Sequence, residues 1–312
     1  MFEIRRYTSE LADEWNQFIA KSKNGTFLFD RRYMDYHADR FNDHSLLFYF
    51  ANRLLAVLPA HASGDTLYSH NGLTYGGLVM SSRLTVVQTM NLFRELNEQL
   101  RQEGFRHVSY KCIPWIYHRL SSDEDIYALF HECHARIVAR DFATNVFLAG
   151  EMRWERVRRR GVVRAQNAGV SVERSDNYAA FWNVLSQNLH AKYGVMPVHT
   201  LQEIVLLHRR FPQNIQLYQA VKDGEVLGGV VLYVSHQVVH AQYSSATSDG
   251  KKLGVIDFLY NRIFNDYGNY PYFDFGRSTE HPDGSGLNEK LVFQKEGFGG
   301  RGLCYDIYEY DL

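Results

Sequence analysis

The residues best suited to chemistry gather in the second half of this chain of 312 residues. The stretch HAQYSSATSDGKKLGVIDFLYNRIF (240–264) runs from a strand pattern through a small-residue turn into a helix. Gly250, Lys251, Lys252 and Gly254 set two glycines and two cations where that helix begins. Free backbone N–H groups and the helix dipole favour an anion at such a place. A solvated turn that uses glycine for a tight entry is the competing reading. On the preceding strand, period-two alternation puts His240, Gln242 and Ser244 on one face and Tyr243 on the other.

The stretch YFDFGRSTEHPDGSGLNEKLVFQKEGFGGRG (272–302) is the second cluster. Asp274 falls on the face opposite Phe273 and Phe275, and Arg277 follows as a substrate-binding candidate. A short helix then ends at Gly297. Leu287, Leu291 and Lys295 are spaced i, i+4, i+8, which places Lys295 on the leucine face. A lysine there must snorkel, find a partner or shift its pKa. The third cluster, EMRWERVRRRGVVRAQNAGVSVE (151–173), has six arginines between 153 and 164, with Glu151 and Glu155 the acids nearby. Arg153, Arg156, Arg160 and Arg164 form one helical stripe, which a phosphate-bearing ligand would use and a solvated helix would also carry.

Other motifs carry less. His131-Glu132-Cys133-His134 supplies two metal ligands at best and lacks the His-Glu-x-x-His spacing, so no metal is expected. No Gly-x-Ser-x-Gly elbow and no Walker loop occurs. With 45% apolar and 22% charged residues the chain should bury a sizeable core. A net charge of -1 argues against a general polyanion binder. Cys112, Cys133 and Cys304 are few and widely spaced, as expected of reduced thiols in the cytoplasm. The first 15 residues have no apolar run, so no signal peptide is expected. The longest apolar stretch, 226–234, is far short of the ~20 residues of a membrane span.

The elements that position these residues repeat once. Helical patterns surround Trp15 (with Phe18 and Ile19) and Trp182, hairpin patterns cover 46–61 and 215–233, and their turns fall at Asn52-Arg53 and Asp223-Gly224. Strands over 66–75 and 237–246 lead to helices over 84–102 and 253–267, and aromatic strands follow at 105–111 and 270–276. Trp15 to Trp182, Val57 to Leu227 and Leu84 to Leu253 are separated by 167, 170 and 169 residues. The expectation is an α/β (α+β) chain of two tandem domains, 1–152 and 153–312, each a mixed, mostly antiparallel sheet flanked by helices. No Rossmann fingerprint is present.

Tandem α/β halves, a junction helix with Arg160…Arg164-Ala165…Gly169-Val170 and a terminal LVFQKEGFGG resemble the FemABX-like branch of the Gcn5-related N-acyltransferase (GNAT) superfamily. The resemblance covers essentially the whole chain. It implies transfer of an acyl group to an amine, such as an amino sugar or a cell-envelope precursor. It also implies that Lys295 acts near the donor carbonyl and that Arg160, with Arg164, contacts the phosphates of a nucleotide-linked acceptor. The superfamily's acyl-CoA loop falls on Thr247–Lys252, where Gly250 is the one glycine kept. Acyl-CoA and aminoacyl-tRNA therefore both stand as donors, and a catalytically inactive ligand-binding duplicate stands as a third reading. For acyl transfer, Asp274 or His240 would be the base, Lys295 or a backbone N–H of the splayed strand would meet the oxyanion, and Tyr243 would protonate the leaving group.

Overall fold

The computed structural model describes residues 1–312, with the side chain of Tyr193 left aside. The fold is mixed α/β, and it divides into two compact units. The first comprises 1–142, 279–286 and 304–312; the second comprises 143–278 and 287–303.

In the first unit, Glu3–Arg6, Leu46–Phe50, Arg53–Leu58 and Val79–Met80 form an antiparallel sheet in that order. The hairpin expected over 46–61 is present, but its turn is one residue earlier than the sequence suggested. Ala51 and Asn52 take positive φ (49° and 59°), and Phe50 pairs with Arg53. That conformation suits the right-handed twist of the strands. The strand expected over 66–75 is confined to Thr66–Tyr68, which pairs in parallel with His107–Lys111. The helix Val86–Gln102 opens on a capping box between Thr85 and Gln88 and buries Leu92, Phe93, Leu96 and Leu100.

Beneath that helix the Tyr110 hydroxyl donates to Asp125 Oδ2 and accepts from the Leu78 amide at 2.6 Å. Burial pushes the Asp125 carboxyl up from 3.8 to about 7, partly offset by the Tyr110 hydrogen bond. The folded chain thus holds a proton there that the unfolded chain releases. This contribution to stability is fully present below pH 3.8 and is lost as pH rises through about 7. In urea titrations, wild type should lose stability relative to Asp125→Asn between pH 5 and pH 8; parallel pH profiles would contradict this. The expected difference is on the order of 1–3 kcal/mol.

The second unit contains the sheet Ser171–Ser175, Ile215–Lys222, Glu225–Val234, Val238–Ala246, Tyr272–Arg277 and the end of Arg136–Phe147, in that order. Asp223 and Gly224 turn its long hairpin with φ of 51° and 81°, as their sequence implied. Every neighbouring pair from Ser171–Ser175 to Phe147 is antiparallel except Val238–Ala246 with Tyr272–Arg277, which is parallel. A parallel pair needs a crossover, and the helix Val255–Asp266 supplies it. Leu259, Tyr260, Ile263 and Phe264 are buried on one face, with Ile256 half-buried beside them. They pack on Val230, Leu232, Val239, Ala241, Phe273 and Phe275.

The helix expected over 253–267 is Val255–Asp266, and a short helix precedes it. Ser248–Leu253 ends at Gly254 (φ 82°), and Val255–Asp266 begins there. The break lets the junction helix Arg156–Asn167 approach closely. A Cβ at Gly254 would lie 2.4 Å from the Gly161 carbonyl oxygen, and one at Gly161 would lie 1.8 Å from Asp257 Oδ2. Arg158 Nη1 donates to that Asp257 at 2.8 Å from an almost buried position. Among the described residues, no helix is long and apolar enough to cross a membrane.

Candidate active site

The parallel pairing of Val238–Ala246 with Tyr272–Arg277 covers three residue pairs and ends at His240 opposite Asp274. Beyond that point the strands part. Two bulges accompany the parting. Phe275 and Gly276 together oppose one residue of the neighbouring strand, and Gln242 is inserted between the partners of Leu232 and Val231. Asp274 stitches the first bulge: its Oδ1 accepts from the Gly276 amide at 2.8 Å, and Gly276 has φ +70°. A Cβ at Gly276 would lie 3.0 Å from His240 Cε1, so glycine supplies both the backbone angle and the space.

The same carboxylate holds the histidine. His240 Nδ1 donates to Asp274 Oδ2 at 2.9 Å, with Asp274 fully buried and the His240 side chain 10% exposed. With the Nδ1 hydrogen held there, Nε2 presents the lone pair. Asp274 and His240 were separate candidates for one base; the structure makes them a pair.

The second bulge corrects the strand-face assignment. Strict alternation puts Tyr243 opposite His240, whereas the extra residue at Gln242 shifts the register. Val239, Ala241 and Ala246 join the core under Val255–Asp266, and Ser244 hydrogen-bonds Tyr260 of that helix. Tyr243 instead meets Trp182 of the helix Tyr178–Tyr193, ring centroids 5.1 Å apart, and Ser245 hydrogen-bonds Asn188 of the same helix. His240 and Tyr243 therefore share a face, and Ser244 leaves it. The Tyr243 hydroxyl lies 2.6 Å from His199 Nδ1, and burial pushes the phenol up to about 12. His199 was missed in the sequence: it sits in a loop whose only signal is the Thr200/Glu203 capping box that follows it.

Lys295 is buried, but for a reason other than the one its spacing suggested. Leu287 precedes the helix Glu289–Glu296 and is half exposed, so no leucine face exists there. The ammonium reaches instead to the Gly276 carbonyl, the Arg277 carbonyl and Ser278 Oγ, each at 2.8 Å. All three of its donors are thus satisfied, and the lysine staples the backbone just after the bulge. Arg277 itself is exposed and joins this cluster through its carbonyl. Burial lowers the Lys295 ammonium from 10.5 to about 8, partly opposed by the Asp274 carboxylate.

The anion-binding candidates lie apart from this cluster. Gly250 is inside the short helix, where a Cβ would lie 2.4 Å from the Leu227 carbonyl oxygen, and Thr247 Oγ1 caps its amide at 3.0 Å. Lys251 reaches Asn188 Oδ1 at 3.3 Å and Lys252 pairs with Asp249 at 2.9 Å, both at the surface. The two glycines are accounted for by close packing on the sheet and on the junction helix. On that helix Arg160 and Arg164 are exposed, whereas Arg153 precedes it and pairs with Glu151. The inward member of the arginine run is Arg158, which periodicity did not single out. Among the described residues, no group of three His, Cys, Asp or Glu side chains could hold a metal ion.

Residues 153–282 match the family model described as "Acetyltransferase (GNAT) domain". No curated protein matches the chain significantly. Among solved structures, FemX superposes with a TM-score of 0.69 at 11% identity, over 99% of this chain and 97% of its own. The C-terminal domain of a putative lysylphosphatidylglycerol synthetase from Agrobacterium fabrum gives 0.60 at 14% identity, over 96% and 91%. A tandem GNAT protein from the clavulanic acid biosynthesis pathway gives 0.51 at 9% identity, over 100% and 98%. The fold is that of the FemABX-like branch of the GNAT superfamily, as the sequence resemblance implied.

Because Lys295 binds fewer protons folded than unfolded between pH 8 and 10.5, its contribution to stability rises with pH across that window. The difference in unfolding free energy between wild type and Lys295→Met, followed by urea denaturation from pH 7.5 to 9.5, should widen in favour of wild type. A constant difference would contradict the lowered ammonium.

Proposed function

We propose that the chain is an N-acyltransferase, acting from a thioester or ester donor onto an amine, with the fork at His240 and Asp274 as its reaction centre. The observation that carries the reading is the Asp274–His240 pair at the last parallel-paired residues of the sheet. The acceptor amine enters the fork, and His240 Nε2 takes a proton from it as the nitrogen attacks the acyl carbon. Asp274 stabilises the imidazolium that forms. Backbone N–H groups of the parted strand meet the oxyanion. As the tetrahedral intermediate collapses, the carbon–sulfur or carbon–oxygen bond breaks and the Tyr243 hydroxyl gives the leaving group its proton. Lys295 holds the turn that carries Gly276 and adds positive charge beside the carboxylate.

The acceptor is taken to be an amino sugar or a nucleotide-linked envelope precursor, its phosphates met by Arg160 and Arg164 and its polar groups by Arg277. An acyl-CoA donor would place its phosphates against Gly250, Lys251, Lys252 and Gly254. An aminoacyl-tRNA donor is the second reading. The FemX-like fold and the packing of Gly250 against the Leu227 carbonyl favour it, since that packing leaves little room for a phosphate loop. The buried Asp274 carboxylate speaks against an inactive duplicate, because a buried charge without a task would only add desolvation cost.

Transfer from acetyl-CoA, and in parallel from aminoacyl-tRNA, should be assayed against a panel of amino sugars and nucleotide-linked amines. His240→Gln, whose carboxamide can still donate to Asp274, is expected to lower the rate by about 10²–10⁴-fold with the fold retained by circular dichroism. Unchanged turnover in a folded His240→Gln protein would remove His240 as the base. No transfer from either donor would favour the inactive reading.

A further inference from the structure

We propose that the second unit carries a separate ligand site, a cleft of about 570 Å³ between the junction helix and the helix Val255–Asp266. Its ligand is an oxyanion, carboxylate or phosphate, borne on an apolar body the size of a fused ring. The floor is apolar: Trp154 is half-buried, with its ring centroid 5.7 Å from that of Phe264 and 5.0 Å from that of Phe298, and Val162 lies beside it. The rim is polar and cationic. Arg153 and Arg159 come from one side, and Asn261 and Asn265, one turn apart on a helix face, from the other.

Three observations select the ligand class. No carboxylate lines the cleft, and the junction helix Arg156–Asn167 contains five arginines and no acid, so the local potential favours an anion. The Arg159 guanidinium and the Asn261 and Asn265 carboxamides have no protein hydrogen-bond partner among the described residues. They are left with water, which a ligand with matching oxygens can displace. Arg153 is paired with Glu151 at 3.1 Å, but that pair is fully at the surface and yields readily to a competing anion. The volume falls in the range of pockets that enclose a small organic molecule, and aromatic floors with a few polar groups are their common lining. Guanidinium matches carboxylate and phosphate alike, so the head group can be either.

This cleft shares no residue with the His240 fork. His240 and Tyr243 face the helix Tyr178–Tyr193, whereas the cleft is formed on the side of Val255–Asp266. The site is therefore independent of the acyl-transfer reading.

Isothermal titration of the full chain with 1-naphthyl phosphate, 1-naphthoate, 1-naphthol and inorganic phosphate tests the proposal. At least one naphthyl anion should bind with one-to-one stoichiometry, and 1-naphthol and inorganic phosphate should bind about tenfold more weakly or less. Comparing the two naphthyl anions tells phosphate from carboxylate; preference for either agrees with the proposal. Arg159→Glu and Asn265→Leu, both at exposed positions, should each weaken binding by about tenfold. Arg156→Glu, the same charge change on the same helix outside the cleft, should alter it by less than about twofold. The proposal is overturned if neither anion binds, if 1-naphthol binds as well as they do, or if Arg156→Glu costs as much as Arg159→Glu.

Discussion

The second unit depends on one carboxylate. Asp274 is fully buried and accepts two hydrogen bonds at once, from the His240 ring and from the Gly276 amide. The first fixes the histidine tautomer, and the second fixes the bulge that turns the strand away from its parallel neighbour. Losing either partner would leave a buried charge under-solvated, at a cost of several kcal/mol. The base and the opening of the sheet are therefore one construction. Lys295 completes it from the far side, with its ammonium bound to the two carbonyls that follow the bulge and to Ser278.

The glycines of this unit divide by task. Gly276 adopts a backbone angle that side chains rarely take, directly against the His240 ring. Gly161 and Gly254 let two helices meet at backbone distance, and that approach brings Arg158 to Asp257. Desolvation raises the Asp257 carboxyl, and the Arg158 guanidinium opposes the rise. An ion pair this close to buried is weak evidence for stability, but breaking it leaves one charge alone. Such a pair specifies how the junction helix lies on the crossover helix, and the arginine-lined cleft is built from those two elements.

The first unit repeats the parallel strand pair but treats its end differently. Thr66–Tyr68 runs parallel to His107–Lys111 as Val238–His240 runs parallel to Tyr272–Asp274. Past Tyr68 the strands stay stitched, because the Ser69 amide donates to the Ser109 carbonyl and Ser69 Oγ accepts from the Lys111 amide at 2.7 Å. The Lys111 ammonium closes the loop onto the Leu73 carbonyl. One topology thus gives an opened pair in one unit and a sewn pair in the other, through the hydrogen bonds of a single serine.

The sequence by itself determined the elements and their order. Helix periodicity at Leu259, Tyr260, Ile263 and Phe264, the Asp223-Gly224 turn and the doubled pattern near 168 residues apart are local or additive signals. Each is a repeat that burial of one face imposes on consecutive residues. The alternation that set Asp274 against Phe273 and Phe275 was of this kind and agrees with their packing. Tyr243 was misplaced because one bulged residue inverts every face after it, and a bulge is decided by the partner strand rather than by its own. His199, the Arg158–Asp257 pair and the anchoring of Lys295 join residues 44, 99 and up to 19 positions apart. Periodicity contains no record of such meetings. The tertiary structure decided them, because which buried donors and acceptors satisfy one another depends on how helices and strands come together in space.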